Sequence, residues 1–344
     1  MNNPKNKPVI IWLLTGCVLL FIMVMVGGIT RLTNSGLSMT DWHLVADTFP
    51  PLSEEGWQEA FDDYKNYPEY QKINQHKPGG FLIDDYKFIY FWEWFHRFIG
   101  RVIGLVFILP FLYFLIKKQL STSTIKKCLV LLFMGGFQGF LGWFMVKSGL
   151  IDQPDVSHYR LALHLTFAFL TFAYTLWVAL DLIYENSTKN ILPKLQGLTK
   201  MTFAVLIVQI IWGGFVAGLD AGQVHNHWPM MSDGQFFHES IAIEKESLFS
   251  AFVEGKSGVQ FVHRSLAYLV VILITILFFK SKSMSLLASQ RNGMIFLVAM
   301  VLVQFTLGVL TLLLNVPLWL GLAHQLGAFF LLSGVVYVMH RVHK

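Results

Sequence analysis

Four histidines, His96, His164, His263 and His324, lie in four separate apolar stretches, each a few residues past the same end of its stretch. An imidazole inside a bilayer is costly unless it has a partner or a task. Two imidazoles at one level on neighbouring helices can hold a haem between them, with one coordinating iron from each face. Zinc fits less well, because each pair lacks the further ligands that complete a zinc set. The structural alternative is that each histidine hydrogen-bonds a neighbouring helix. Four of them at equal depth in related positions argue for ligation.

One pair has a carboxyl beside it. The segment reads Trp92-Glu93-Trp94-Phe95-His96-Arg97-Phe98-Ile99-Gly100-Arg101. Glu93 stands three residues before His96, on the same helical face and one turn nearer the helix start. The matching place before His263 holds Gln260. An ionisable group on one side and its neutral isostere on the other point to proton-linked chemistry in the first half and cofactor holding in the second. The competing reading is that Glu93 only pairs with an arginine. Arg97 and Arg264 directly follow His96 and His263, and arginine suits haem propionates through two parallel hydrogen bonds. Snorkelling to lipid headgroups is the other use of such residues.

The elements that must position these groups are membrane helices. Of the 344 residues 54% are hydrophobic and 14% charged, with mean hydropathy +0.54, whereas soluble domains carry about 25% charged residues. Eight spans are predicted, near 9–28, 88–116, 127–148, 158–180, 198–218, 259–279, 293–314 and 318–339, each close to the roughly 20 residues that cross a bilayer. All must be helical, since lipid offers no partner for free backbone groups. The first run reads as a retained helix, without a cleavage site after it.

Basic residues set the orientation. Lys5 and Lys7 precede the first span. Lys117, Lys118, Lys126, Lys127, Lys189, Lys194, Lys200, Lys280, Lys282 and Arg291 occupy the loops on that side, and Arg341 and Lys344 close the chain. The positive-inside rule puts both termini in the cytoplasm and the long loops, about 29–87 and 219–258, outside. The four histidines then lie about 6–12 Å in from the outer face. The net charge of +5 is spread over these short loops and gives no nucleic-acid signal.

The chain also repeats. Gly27-Gly28, Gly36 and Trp42 recur as Gly213-Gly214, Gly222 and Trp228. His96-Arg97 matches His263-Arg264, Gln138 and Gly142 match Gln304 and Gly308, and His164 and Ala168 match His324 and Ala328. Each half has an even number of spans, so the repeats are parallel. The expected fold is an all-α integral membrane protein, with eight transmembrane helices as two parallel-repeat four-helix bundles, 1–190 and 191–344. The remaining histidines carry less. His43, His76, His158, His225, His227 and His238 fall in or near outer loops, and His340 and His343 in the inner tail. His225 and His227 read as solvated, with His-x-His metal binding as the alternative. Cys17 and Cys128 are too far apart in sequence, and too far from the outer loops, to be read as a bridge.

With these residues in view, the chain resembles the haem A synthase family over essentially its whole length. The resemblance rests on Gly27-Gly28-Ile29-Thr30-Arg31-Leu32-Thr33-Asn34-Ser35-Gly36-Leu37-Ser38, on Glu93-x-x-His96-Arg97 with Gly100-Arg101, on His164, on His263-Arg264 and on His324. It implies oxidation of a methyl group of haem O to the formyl group of haem A, for terminal oxidase assembly. It further implies that His96 and His164 hold the substrate haem, that His263 and His324 hold a resident haem b, and that Glu93 is essential for turnover. Haem O synthase and oxidase assembly factors would be the partners, together with membrane lipid, in the bacterial inner membrane. The lack of outer-loop cysteines resembles the cysteine-free branch that includes mitochondrial and many Gram-negative enzymes.

Two schemes remain open from the residues. Either His96 or His164 releases iron during stepwise oxidation through a hydroxymethyl group and a hydrated aldehyde, or electrons are removed and water attacks, with Glu93 taking the methyl-derived proton. Two other function classes compete. A di-haem b-type electron carrier would explain the histidines but not Glu93 against Gln260. A transporter would explain the parallel repeats but calls for broken helices and polar midplane residues.

Overall fold

The computed structural model describes residues 6–39, 48–149, 156–188, 190–232 and 234–343. Lys5, Trp42, His43, Lys189 and Lys344, named above, lie outside them. The elements in order are α1 (Lys7–Leu32), α2 (Glu54–Tyr64), α3 (Pro68–Lys72), α4 (Ile83–Ile116), α5 (Thr122–Gly149), α6 (His158–Ile183), α7 (Pro193–Gly218), α8 (Ser240–Ile243), α9 (Leu248–Glu254), α10 (Lys256–Lys282), α11 (Ala288–Leu313) and α12 (Leu318–His343). Among the described residues there is no strand. Eight of these helices, α1, α4, α5, α6, α7, α10, α11 and α12, are long and apolar enough to cross a membrane. They are the eight expected spans.

Most run past the expected limits because their ends reach polar surroundings where caps can be satisfied. α4 begins at Ile83 rather than 88, with Asp84 and Asp85 in its first turn. There the Leu82 N–H donates to the Asp85 carboxylate at 2.9 Å, and the acids suit the positive end of the helix dipole. α1 and α7 end in the same turn. Asn34 and Asp220 follow them with φ of 50° and 51°, a left-handed conformation that Asn and Asp tolerate better than most residues.

α1 packs on α4 and α6, and α5 on α4 and α6. α7 packs on α10 and α12, and α11 on α10 and α12. Across these sets, α6 lies on α7, and α12 lies on α1 and α6. The largest buried cluster therefore sits where α1, α6, α7 and α12 meet, around Phe169, Phe172, Leu206, Phe329 and Leu332. Phe329 is central, with its ring centre 3.7 Å from that of Phe172. Lipid tails are as apolar as leucine, so this association relies on close packing rather than on expulsion of water. α5 is the opposite case: Leu129, Phe133 and Phe140 on it are exposed, as lipid-facing residues must be.

At the other end of the helices from the histidines, polar ties lock the sets together. Asp181 on α6 accepts from Lys127 Nζ at 2.5 Å and lies 2.9 Å from His340 Nε2 on α12. Cys17 and Cys128 are buried, free thiols.

Candidate functional site

All four histidines stand near one end of the helices, the end that carries the long loops, and all four are half-buried. Each imidazole lies against a glycine of a neighbouring helix. A Cβ on Gly27 of α1 would come within 3.0 Å of His96 Cε1, and one on Gly213 of α7 within 3.2 Å of His263 Cε1. A Cβ on Gly142 of α5 would come within 3.2 Å of His164 Cε1, and one on Gly308 of α11 within 2.8 Å of His324 Cε1. The missing side chains are what let four helices bring imidazoles inward. Glutamines brace three of the rings. Gln138 Nε2 lies 3.2 Å from His164 Nδ1, Gln304 Nε2 lies 3.2 Å from His324 Nδ1, and Gln209 Nε2 lies 3.4 Å from His263 Nε2.

Glu93 is 3% exposed, yet it is well supplied with donors. Ser38 Oγ donates to its Oε2 at 2.8 Å and the Met39 N–H to the same oxygen at 2.9 Å. Arg97 Nη2 pairs with Oε1 at 2.6 Å. Although aromatic residues flank Glu93 in the sequence, its setting is polar: the segment after α1 folds back over the carboxylate. Gln260 meets the reverse arrangement. Its Nε2 donates to the carbonyls of Ala221 at 2.9 Å and His225 at 3.3 Å. By the register that sets Gly27 on Gly213, Met39 corresponds to His225. One backbone position thus offers its N–H to the carboxylate and its C=O to the amide.

The family model for cytochrome oxidase assembly proteins matches residues 10–336. Curated relatives are similar end to end. The heme A synthase of Flavobacterium psychrophilum is 69% identical over 340 residues, covering 99% of this chain and 99% of its own. That of Flavobacterium johnsoniae is 69% identical over 341 residues, again 99% of each. That of Nitrosospira multiformis is 43% identical over 342 residues, covering 98% of this chain and 94% of its own. The chain belongs to the haem A synthase family.

A haem A synthase needs haem-holding groups, and the residues present fit them. The ring centres of His263 and His324 are 6.4 Å apart with planes at 83°. Two imidazoles bonded to one metal from opposite sides, at about 2 Å per bond, leave their ring centres roughly 6 Å apart. Nδ1 of His96 and Nδ1 of His263 are buried with no hydrogen-bond partner among the described residues, so each ring keeps a nitrogen that the protein itself does not occupy. Arg264 donates through Nη2 to the carbonyls of His227, Pro229 and Met230 at 2.9–3.0 Å. Its Nη1 is buried without a partner among the described residues, as a propionate-binding donor would be before its ligand arrives. Arg97 differs, since the structure gives its guanidinium to Glu93.

Several residues of this haem A synthase were missed or misread in the sequence. Gln138 and Gln304 were seen only as repeat markers, and Ser38 only as part of a string. His225 is buried, contrary to the expectation of a solvated loop residue. It lies 2.9 Å from Ser257 Oγ, and its ring centre is 4.5 Å from that of His238. His227 is exposed as expected. Among the described residues no group of three or more His, Cys, Asp or Glu side chains is placed to hold a metal ion.

Proposed function

We propose that the haem A synthase activity of this chain, oxidation of a methyl group of haem O to the formyl group of haem A, is performed within residues 1–190, with His96 and His164 holding haem O as substrate. Residues 191–344 hold a resident haem b on His263 and His324, which when bound supplies one-electron relay. Glu93 carries the assignment. It is a buried carboxylate one turn from His96, with Ser38, Met39 and Arg97 built around it, and the other half puts an amide in its place. A carrier that only passes electrons between haems has no use for that difference.

In the scheme in which electrons are removed from haem O and water attacks, Glu93 would accept the proton released from the methyl carbon, the two electrons would leave through the haem b relay, and water would supply the hydroxyl oxygen. Ser38 and Met39 fix the position of one carboxylate oxygen. Arg97 divides its five donors between Glu93 and a propionate of haem O, and Arg264 serves a propionate of haem b. The aromatic wall of Phe91, Trp94, Phe95 and Phe98 keeps bulk water away from the reacting edge. The chain lies in a bacterial inner membrane with both termini cytoplasmic and the histidines near the outer face. Haem O synthase supplies the substrate, and oxidase assembly factors receive the product.

Glu93→Gln tests the assignment. The variant is expected to keep its b-type spectrum and to lose most or all haem A, with haem O or the hydroxymethyl intermediate accumulating in extracted membranes. Wild-type haem A in a variant that retains haem b would make Glu93 structural.

A further inference from the structure

We propose that Gln325 is the bridge through which electrons pass between the two haem sites, from one half of the chain to the other along α12 and α1. The proposal rests on the reading that His96 and His164 hold the substrate haem and that His263 and His324 hold the resident one. Gln325 directly follows His324 on α12. Its side chain leaves its own half: Nε2 donates to the Val24 carbonyl of α1 at 2.9 Å. Its Oε1 lies against Gly28, where a Cβ would come within 2.6 Å of it. Gly28 is bonded to Gly27, and Gly27 is the glycine against which His96 rests, with 3.0 Å from its Cβ position to His96 Cε1. One run of bonded and touching atoms thus leads from an imidazole of the second half to an imidazole of the first.

The repeat supplies a comparison within the same molecule. α7 packs on α6 as α1 packs on α12. By the register that sets His164 on His324, Ala162 corresponds to Leu322 and Leu165 to Gln325. A Cβ on Gly214 would come within 2.8 Å of Ala162 Cα, and one on Gly28 within 3.1 Å of Leu322 Cδ1. Both crossings are therefore close, and the α6–α7 crossing closes without an amide. Holding α12 to α1 does not by itself call for a glutamine. What the amide adds is a hydrogen-bonded link where leucine has only methyl groups to offer.

Electron transfer favours such a link. An electron tunnels through the intervening atoms, and the coupling decays less along covalent and hydrogen bonds than across a van der Waals gap. From His324 the path runs through the peptide bond to Gln325, along its side chain and over the hydrogen bond to Val24. In α1 that carbonyl stands one turn before the Gly28 N–H, the pairing that closes a helical turn. Only the step from Gly27 to His96 is then a bare contact. The route through α6 and α7 has two such steps, Ala162 to Gly214 and Gly213 to His263. The transfer moves one electron at a time and no atoms. The iron that loses the electron is oxidised by one unit, the iron that gains it is reduced by one, and the amide is unchanged.

The test uses the full-length protein in detergent, loaded with haem b and with the product haem A, whose visible bands differ. A photochemical reductant injects one electron, and absorbance follows its redistribution between the two haems. Gln325→Leu, which installs the counterpart residue, is expected to slow redistribution several-fold. Gly28→Ala, which pushes the amide off α1, is expected to do the same. In both, the midpoint potentials, the bis-imidazole spectra and the iron–iron distance from dipolar EPR should match the wild type, so that the loss is one of coupling. Ala162→Gly, which loosens the other crossing, should leave the rate unchanged. Redistribution at the wild-type rate in both Gln325→Leu and Gly28→Ala would overturn the proposal. So would slowing that comes with a longer iron–iron distance, the mark of a residue that only ties α12 to α1, or an equal slowing by Ala162→Gly. If no electron passes between the haems of the wild type, the relay reading itself fails and the proposal falls with it.

Discussion

Glu93 and Gln260 are near-isosteres, and the chain around each is folded to suit the atom that differs. Donors converge on the carboxylate and carbonyls on the amide. A second buried acid lies in the loop between α1 and α4. Glu69 accepts from Tyr64 Oη at 2.7 Å, and Asn74 Nδ2 donates to the same hydroxyl at 2.6 Å. Burial pushes the Glu69 carboxyl up from 4.5 to about 7, against the Tyr64 hydrogen bond that lowers it; the charge of Glu93 adds to the rise and Lys77 opposes it. A carboxyl whose pKa is raised on folding binds its proton more tightly in the folded state. Its contribution is full below about pH 4.5 and is lost as pH rises through about 7. Over that window folding should weaken by up to about 3 kcal/mol from this group alone. Thermal unfolding at pH 5 and pH 8 should show a smaller fall in Tm for Glu69→Gln than for the wild type; equal falls would remove Glu69 as the cause. The sequence made Glu93 legible because its repeat partner differs. Glu69 has no such partner to be compared with, and nothing in the sequence singles it out, since its burial depends on α2 and α3 folding over it.

Among the elements, the paired glycines at the ends of α1 and α7 divide two tasks. Gly27 and Gly213 make room for imidazoles of their own half. Gly28 and Gly214 face the opposite half. A Cβ on Gly28 would come within 2.6 Å of Gln325 Oε1 and 3.1 Å of Leu322 Cδ1 on α12, and one on Gly214 within 2.8 Å of both Cα and Cβ of Ala162 on α6. The two substitutions to alanine should therefore differ. At Gly28 the obstacle is the end of a flexible side chain. At Gly214 it is backbone, which can yield only if α6 and α7 move apart. Overpacking of that kind costs about 1–3 kcal/mol, so Gly214→Ala should lower the Tm of the purified protein clearly more than Gly28→Ala does. The reverse order would mean that α6 and α7 separate freely. The helices themselves were readable, because apolar length alone forces eight of them. Their ends were placed less well, since caps such as Asp85 on Leu82 extend α4 into a region that hydropathy scores as loop. The way α6 and α12 fill the centre while α5 is left to lipid was not readable, because the apolar runs look alike in composition.

For the whole molecule, the basic end of the helices is expected in the cytoplasm. A reporter fused after Lys344 should be active only if it is a type that works there; activity of an exported-type reporter would reverse the orientation and put the histidines at the inner face. The repeat was legible as matched residues, and the contacts between its halves were not. Arg31 is the telling case. It donates to Asn34 Oδ1 at 3.0 Å, to the Ala217 carbonyl at 2.7 Å and to Asp220 Oδ1 at 3.1 Å. By the register that sets Gly27 on Gly213, Ala217 is the counterpart of Arg31 itself, and Asp220 the counterpart of Asn34. A residue that touches its own counterpart sits close to the axis relating the two. In a homodimer of identical four-helix units, that spot would receive two guanidinium groups at once, and like charges so close repel each other. A single covalent chain escapes that constraint. One copy keeps the arginine, the other gives way to alanine, and the neighbouring asparagine becomes an aspartate that binds the remaining charge. A single polypeptide leaves the centre of the molecule free to be asymmetric, the same freedom that lets the chain hold Glu93 at one position and Gln260 at its counterpart.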